Sequence, residues 1–469
     1  MGKKWKDTKR RNTGLLLLLT LAMVLAACGA PGGDEVVPTT AAGGGADTTT
    51  AAADTTAAGG DTTGGTETTA APGGDGATIR IGVLAPVTGT VALSGQDMLD
   101  GFNLYWEQQD QMSGDIQIEI IHEDSAGDPS TGLNKAQLLV GNENVDMIVG
   151  PLLANVGLAV AEEMSREGVP LFLPIVSADD LTQRQRLDGV IRIGGWTSSQ
   201  TTHPMGQWAY DQGYERVVTL CTDYAFGHEN CGGFSNTFTD AGGEIVEQLW
   251  NPLGTQDFST YVTQIRDADA DAAFVLSVGA DSTRVVQAWS DFGLKGEIPM
   301  LGGETTLDQS LLRNMGPEAE GLISTGHYAE GRDSAETQQF VDAYDEAYGQ
   351  LPSYYSVGMY TGARWIDQAI QAVGGDISDQ EAFLTAIREV QFDDTPLGPV
   401  SLDDYDNPIQ NVYIREVQTR EDGRLWNVPI ETFENVSQFW EYDPEEFLDH
   451  PVYSREYQGN GVWPEPNPG

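Results

Sequence analysis

The sequence predicts an α/β protein built as two lobes. Two runs of alternating strands and helices lie in tandem, and each has the βαβ order that makes a parallel sheet. About 390 residues follow a low-complexity N-terminal region, too many for one small core and enough for two. After residue 27 no apolar run reaches the length of a membrane span, so the folded part is expected to be soluble.

The chain opens on a basic stretch (Lys3, Lys4, Lys6, Lys9, Arg10, Arg11) and an apolar run from Leu15 to Ala27 that is too short to cross a bilayer. The run ends in Leu25-Ala26-Ala27-Cys28. Small residues before a cysteine resemble a bacterial lipobox, which implies cleavage before Cys28 and a lipid on its sulfur. Residues 1–28 are therefore read as a lipoprotein signal peptide, with the mature chain anchored outside the cytoplasmic membrane. The Arg10-Arg11 pair leaves the export route open. Residues 29–77 are almost wholly Gly, Ala, Thr, Asp and Pro, without an aromatic residue, Lys or Arg. Such a segment buries too little to offset its ordering entropy and is expected to be a disordered tether, with a reach of roughly 40 Å.

The first alternating run begins at residue 78. Strands are predicted at Ile79–Ala85, Ile116–Ile121, Val145–Val149 and Val169–Pro174, with helices over 96–111, 131–139 and 155–167 between them. The second begins near residue 216. Its strands are 216–221, 245–250, 272–276, 298–301 and 321–325, and its helices 235–241, 258–268, 282–292 and 307–315. Three helices without intervening strands (335–349, 355–373, 379–390) precede short strands at 399–402 and 412–417. Residues 421–469 show repeated aromatics and prolines and little periodicity, and are read as an extension packed on the surface. Ligands of open parallel sheets sit beyond the carboxyl ends of the strands, so two such lobes facing each other predict a cleft that closes on a hinge.

Charge narrows the partners. Asp and Glu number 71 against 24 Lys and Arg, a net charge of −47. Beyond the signal only two lysines remain, Lys135 and Lys295. Acids spread through the whole chain with scarce lysine read as adaptation to high salt, where self-repulsion is screened; an acidic surface for a cationic partner is the alternative. No basic stripe exists to neutralise phosphates, so nucleic acid is not an expected partner. Cys221 and Cys231 are close in sequence and, outside the cell, are expected to form a disulfide rather than remain two buried thiols.

Enzymatic signals do not occur. There is no Gly-rich phosphate loop, no CxxC pair and no Gly-x-Ser-x-Gly elbow. The five histidines (His122, His203, His228, His327, His450) lack metal-ligand spacing, so neither a metal nor a cofactor is expected.

Four segments in order carry a resemblance: Ile81-Gly-Val-Leu-Ala-Pro-Val-Thr-Gly89 with Gly95 following, Asp124-Ser-Ala-Gly-Asp128-Pro129, Val149-Gly150-Pro151 leading to Pro174-Ile-Val-Ser177, and Asp257-Phe258-Ser259. Together they resemble the extracytoplasmic solute-binding receptors of ABC importers for branched-chain amino acids. The resemblance covers residues 78 to about 418. It implies the type I periplasmic binding protein fold, two Rossmann-like lobes joined by three crossing strands near 195–200, 325–330 and 394–400. Lobe 1 would take residues 78–197 and 327–395, lobe 2 residues 198–326 and 396–420, and 421–469 the C-terminal extension. It also implies a monomer that passes a small carboxylate ligand to an ABC permease driven by its ATPase. A sensor signalling to a membrane kinase or chemoreceptor is the alternative on the same fold.

Site residues follow from the same resemblance. Ser177 matches a hydroxyl that donates to the ligand carboxylate. Ala154 falls where the family shows Ser at a second carboxylate-binding turn, with Asn155 beside it as a substitute donor. Glu304, in Gly302-Gly303-Glu304-Thr305, matches the acid that pairs with a ligand ammonium; its alternative is an acid starting the following helix. Tyr224 and Phe226, in Asp223-Tyr-Ala-Phe-Gly227, match a loop that packs aromatics on the ligand; lobe core is their alternative. Ser94 and Ala280 stand where aromatics are common, which implies a pocket wider than one for leucine. Gly326-His-Tyr328, Pro352-Ser-Tyr-Tyr355, Asn411-Val-Tyr-Ile-Arg415 and Asn435-Val-Ser-Gln-Phe-Trp440 resemble a subgroup that includes receptors for aromatic carboxylates. A hydrophobic amino acid is the first reading of the solute and an aromatic carboxylate the second.

Overall fold

The computed structural model describes residues 78–459. Cys28, the expected signal peptide and the tether 29–77 lie outside the described residues, as do positions 460–469 of the expected extension.

In chain order the first lobe opens with β1 (Thr78–Ala85), α1 (Ala92–Gln108), β2 (Met112–Ser113), β3 (Ile116–Asp124), α2 (Pro129–Gly141), β4 (Met147–Val149), α3 (Ala154–Glu167), β5 (Leu171–Phe172) and β6 (Val190–Ile191). The second contains α4 (Thr202–Asp211), β7 (Arg216–Thr222), α5 (Ala225–Asp240), β8 (Glu244–Asn251), α6 (Ser259–Asp267), β9 (Ala272–Leu276), α7 (Ala280–Asp291), β10 (Met300–Gly302), α8 (Gln309–Leu312) and β11 (Ile323–Gly326). Then come α9 (Ala335–Tyr348), α10 (Tyr354–Ala372), α11 (Gln380–Glu389), β12 (Gln391–Phe392), β13 (Val400–Leu402), β14 (Pro408–Thr419), β15 (Leu425–Val436) and α12 (Pro444–Leu448).

Two sheets result. The first is β2-β3-β1-β4-β5-β6, parallel except for the short hairpin strand β2. The second is β12-β13-β14-β11-β10-β9-β7-β8, with β15 added along β14. Its β8-β7-β9-β10-β11 half is parallel and the rest antiparallel. The parallel strands are apolar on both faces because helices cover both, as in the wholly buried run Ala272–Leu276. The chain passes from the first sheet to the second between β6 and α4, returns between β11 and α9, and crosses again where α11 ends and β12 begins. The third crossing comes a few residues before the expected 394–400, since β12 at 391–392 already pairs in the second sheet.

Local chemistry sets several helix starts. Asp128 accepts from the Thr131 N–H at 2.8 Å with Pro129 in the first turn, so Asp-Pro begins α2 as its sequence implies. Asp443 and Pro444 start α12 in the same way. Helices α1 and α10 meet at Gly101: a Cβ there would lie 2.0 Å from the Ser356 carbonyl, so only glycine admits this approach. One apolar core runs through the first lobe and on to Phe226, Phe234 and Phe274, and a second fills the outer face of the second sheet around Val262, Val285 and Trp289.

The C-terminal stretch departs from the expectation. Residues 425–436 form a twelve-residue strand paired antiparallel to β14. Its mixed polar pattern and Pro429 hid it, and both suit an edge strand: the register shifts next to Pro429, where a ladder donor is missing. Residues beyond it build a small aromatic cluster, Phe439, Phe447 and Tyr453, over α4 and α5. Gly232 of α5 lies under the Tyr453 ring, where a Cβ would come within 2.3 Å.

Candidate functional site

The carboxyl ends of the strands face each other across a small cavity. Its walls are Leu152, Leu153 and Ala154 before and at the start of α3, Ile175 and Ser177 after β5, and Tyr354 and Tyr355 at the start of α10. From the second lobe come Tyr224, Phe226, Val278 and Thr305. The cavity is about 10 Å³, room for a water molecule and no more. The lobes are thus closed on it, and a solute enters only when they part or the rings turn.

Four of the expected site residues meet here: Ala154, Ser177, Tyr224 and Phe226. Ala154 is the first residue of α3, and Leu153 before it offers no side-chain oxygen to the first-turn amides. The Val156 N–H is taken up by the Leu153 carbonyl at 3.0 Å and by Asn155 Oδ1 at 3.1 Å, so the amides of Ala154 and Asn155, at the positive end of a fourteen-residue helix, are the ones that suit a carboxylate. Ser198 Oγ lies 2.8 Å from the Ser177 carbonyl oxygen and 3.1 Å from its hydroxyl oxygen, and its single proton serves one of them at a time. Tyr224 and Phe226 stand at the start of α5, ring centroids 6.0 Å apart. Burial holds the Tyr224 phenol well above its ordinary pKa, so it stays a neutral donor.

Two expected residues lie elsewhere. Asn155 is exposed, and its Oδ1 accepts from the N–H of Val156, one residue further along its own helix. The helical turn that places Ala154 at the cavity directs the next side chain outward. Glu304 is wholly buried, behind Thr305 rather than in the wall. The His327 N–H donates to its Oε1 at 3.2 Å, His327 Nδ1 lies 2.8 Å from its Oε2, and Arg415 Nη1 lies 3.6 Å from its Oε1. Its charge is matched inside the protein. It begins a 3₁₀ turn, Glu304–Leu307, but its side chain caps nothing there.

Neither Ser94 nor Ala280 lines the cavity. Ser94 is buried against Ser310, with 3.3 Å between their hydroxyls. The first lobe's aromatic bulk in the wall comes from Tyr354 and Tyr355, whose centroids are 3.9 Å apart, and Trp196 on the first crossing backs them from outside the wall. Trp196 packs edge-on against Phe226 at 5.7 Å and Tyr354 at 6.0 Å. Pro352-Ser-Tyr-Tyr355 marked two of these rings; Trp196 left no signal beyond lying in an expected crossing. Closure is held by polar contacts between lobes. Arg313 donates to Asp97 at 2.7 Å, and Asp308 accepts from the Tyr354 N–H at 3.0 Å while capping α8. Burial lifts the Asp97 carboxyl to about 6 even beside Arg313. Cys221, at the end of β7, and Cys231, in α5, are joined in a disulfide that brackets Tyr224 and Phe226.

Residues 78–424 match the family model described as periplasmic binding protein. The chain belongs to the periplasmic binding protein family. Relatives place this periplasmic binding protein among the leucine-binding-protein-like receptors. It is 32% identical over 362 residues to a Leu/Ile/Val-binding protein homolog 6 of Brucella melitensis biotype 1, covering 76% of this chain and 92% of the relative. An ABC transporter substrate-binding protein from Sphaerobacter thermophilus superposes with a TM-score of 0.73 at 32% identity, over 77% of this chain and 99% of the other. A solute-binding protein of an ABC transporter from Rhodopseudomonas palustris BisB5, solved with 3,4-dihydroxybenzoic acid, superposes with a TM-score of 0.73 at 30% identity, over 77% and 98%. The fold is the two-lobed type I fold, and the resemblance read from the sequence holds. This periplasmic binding protein is the substrate-binding component of an ABC transporter, a class that works outside the cytoplasm with a permease and an ATPase. Its relatives bind and transport rather than catalyse. Among the described residues no helix is long and apolar enough to cross a membrane.

Proposed function

We propose that this receptor captures a small aromatic carboxylate by lobe closure and delivers it to its permease, tethered to the membrane by a lipid on Cys28. The observation that carries the solute class is the state of Glu304. Its carboxylate is matched by Arg415 and His327, so the cavity offers no acid to meet an ammonium. What it offers is the first two amides of α3, the Ser177 hydroxyl and a set of aromatic rings. That is one anchor for an anion and a body of ring-stacking surface. The relative solved with 3,4-dihydroxybenzoic acid supports the same class.

A hydrophobic amino acid is the second reading, supported by the name of the Brucella relative and by the match of Glu304 to the family acid. It requires Glu304 to exchange an internal partner for the ligand. Calorimetry with benzoate, 4-hydroxybenzoate, leucine and phenylalanine separates the two. The first reading expects benzoates to bind and leucine not to; tight leucine binding without benzoate binding sinks it. Anchoring is tested separately: Cys28→Ala protein is expected to be released or left unprocessed, and wild type in the detergent phase with a diacylglyceryl mass at its N-terminus.

A further inference from the structure

A second cavity, of about 540 Å³, is walled by both lobes and shares no residue with the cleft cavity. Small-molecule sites have volumes of about 300–1,000 Å³. The second lobe contributes α8, the loop after it and the turn between β14 and β15; the first contributes Gly349, Gln350 and Leu351 between α9 and α10. Contacts between the lobes frame it. Arg313 holds Asp97, and Arg424, on the turn, grips Asp345 of α9 through both carboxylate oxygens at 2.8 and 2.6 Å.

Two polar atoms of wall residues have no partner in the protein. Gln309 is buried, and its Nε2 donates to the Leu425 carbonyl at 3.1 Å. That bond fixes the amide, and its Oε1 accepts from nothing. Arg313 uses Nη2 on Asp97 and Nε on the Ser310 carbonyl at 3.0 Å, while its buried Nη1 donates to nothing. The two residues are four apart, on α8 and its C-cap, the spacing that sets side chains side by side on one face. Buried polar groups are ordinarily paired, so a free acceptor beside a free donor in a cavity wall points to a bound molecule.

The pair defines its chemistry. A guanidinium N–H suits a carboxylate, and an amide oxygen requires a donor. That donor is neutral. Glu320, the acid in this wall, is exposed and accepts from Thr419 at 2.7 Å, so no buried carboxylate stands ready for an ammonium. A hydroxyl beside a carboxylate meets both atoms at once. Leu312, Leu351 and Leu425 line the rest with apolar surface for a short aliphatic body.

We infer that this cavity is a second binding site, for a small aliphatic hydroxy acid, and that its occupant strengthens solute capture in the cleft. A cavity walled by both lobes keeps its shape only while they are together. Its ligand therefore favours the closed form and, by linkage, whatever solute that form holds. The inference does not depend on which solute the cleft takes.

Calorimetry on the full chain with lactate and propionate, which differ by the hydroxyl, tests the site. Lactate is expected to bind one to one and propionate at least about ten-fold more weakly, because a site built for a hydroxyl rejects the analogue lacking it. Gln309→Met keeps the length of the side chain and removes the acceptor. It is expected to erase that difference while leaving the affinity for the cleft solute unchanged, whichever of benzoate, 4-hydroxybenzoate and leucine binds there. Arg313→Lys removes Nη1, keeps a charge for Asp97, and is expected to weaken lactate by about ten-fold or more. Saturating lactate is expected to tighten the cleft solute about five-fold or more in wild type. No lactate binding, equal affinities for lactate and propionate, or lactate binding untouched by both variants overturns the site. Lactate that weakens the cleft solute is competing for the cleft and overturns it too. Lactate binding that depends on Gln309 but leaves the cleft solute unmoved upholds the site and overturns the coupling. Should Gln309→Met fail to fold, Arg313→Lys and the wild-type pair decide; should none of the three solutes bind, the lactate arms decide the site while the reading of the cleft falls separately.

Discussion

Glu304 shows how one residue changes meaning between sequence and structure. In the sequence it is an acid after two glycines, at the place where the family pairs an ammonium. In the fold it is half of a buried ion pair with Arg415, whose guanidinium also donates to the carbonyls of Tyr328 at 2.6 Å and Thr325 at 3.0 Å. Removing one partner of a buried pair leaves the other charge uncompensated, at a cost of about 3–5 kcal/mol. Glu304→Gln is therefore expected to lower the unfolding free energy by about that much while leaving benzoate affinity within a few-fold. Chemical denaturation and calorimetry measure the two. Stability near wild type combined with a large loss of leucine affinity would instead mark Glu304 as the ammonium partner. Ala154, Ser177, Tyr224 and Phe226 were legible in the sequence because each sits in a short motif at a strand end. Trp196 was not, because neither periodicity nor spacing says what a crossing segment faces, and His327 was marked only through the segment Gly326-His-Tyr328, without a role.

At the level of elements, the alternation was readable wherever strands are parallel and buried, since such strands are continuous apolar runs. Elements with other surroundings escaped. Helix α4, with Pro204 in its first turns, is buried on most sides and shows no amphipathic stripe. Strand β15 lies at an edge and alternates poorly. The disulfide gives an element-scale prediction. It ties β7 to α5 across the loop holding Tyr224 and Phe226, so its reduction frees those rings as well as the unfolded chain. For a loop this short the entropic model gives about 2–3 kcal/mol. Reduced and alkylated protein is expected to lose about that stability, and ligand affinity with it, in denaturant melts and calorimetry. Unchanged affinity after reduction would show that packing alone places the two rings. The C-terminal segment is a second test. Arg184 of the first lobe donates to the carbonyls of His450 at 2.7 Å and Phe447 at 3.0 Å, while Tyr453 fills the surface above Gly232 and its hydroxyl meets His203 at 3.2 Å. Tyr453→Ala removes a buried ring and is expected to cost about 3–5 kcal/mol by the same melts, far more than a loosely draped tail would.

For the whole molecule, charge dominates. Burial lifts the carboxyls of Asp97 and Asp179 to about 6 and of Glu330 to about 7. In the unfolded chain these groups ionise near 4. Between those values the folded state keeps protons that the unfolded state has released, so their contribution is full below about pH 4 and is lost as pH rises through 6 to 7. Rising negative charge on a chain of net −47 works in the same direction. Thermal midpoints are expected to fall from pH 5 to pH 7.5, and a midpoint that climbs across this range would contradict the burial of these acids. Added salt shortens the Debye length to about 10 Å at 0.1 M and is expected to raise the midpoint at pH 7.5 steeply. A flat salt response would favour a cationic partner over salt adaptation as the reason for the acidic surface.

The two-lobed α/β architecture and the order of its buried parallel strands and their covering helices were determined by the sequence alone, because buried strands, helix caps and strand-end motifs are local patterns of a few residues. The tertiary structure decided which charges are already matched and which rings close the cleft. Glu304 and Arg415 lie 111 positions apart, and Trp196 and Tyr354 come from different crossings and helices. Their meeting depends on how two sheets and three crossings pack, and no local pattern encodes that distance.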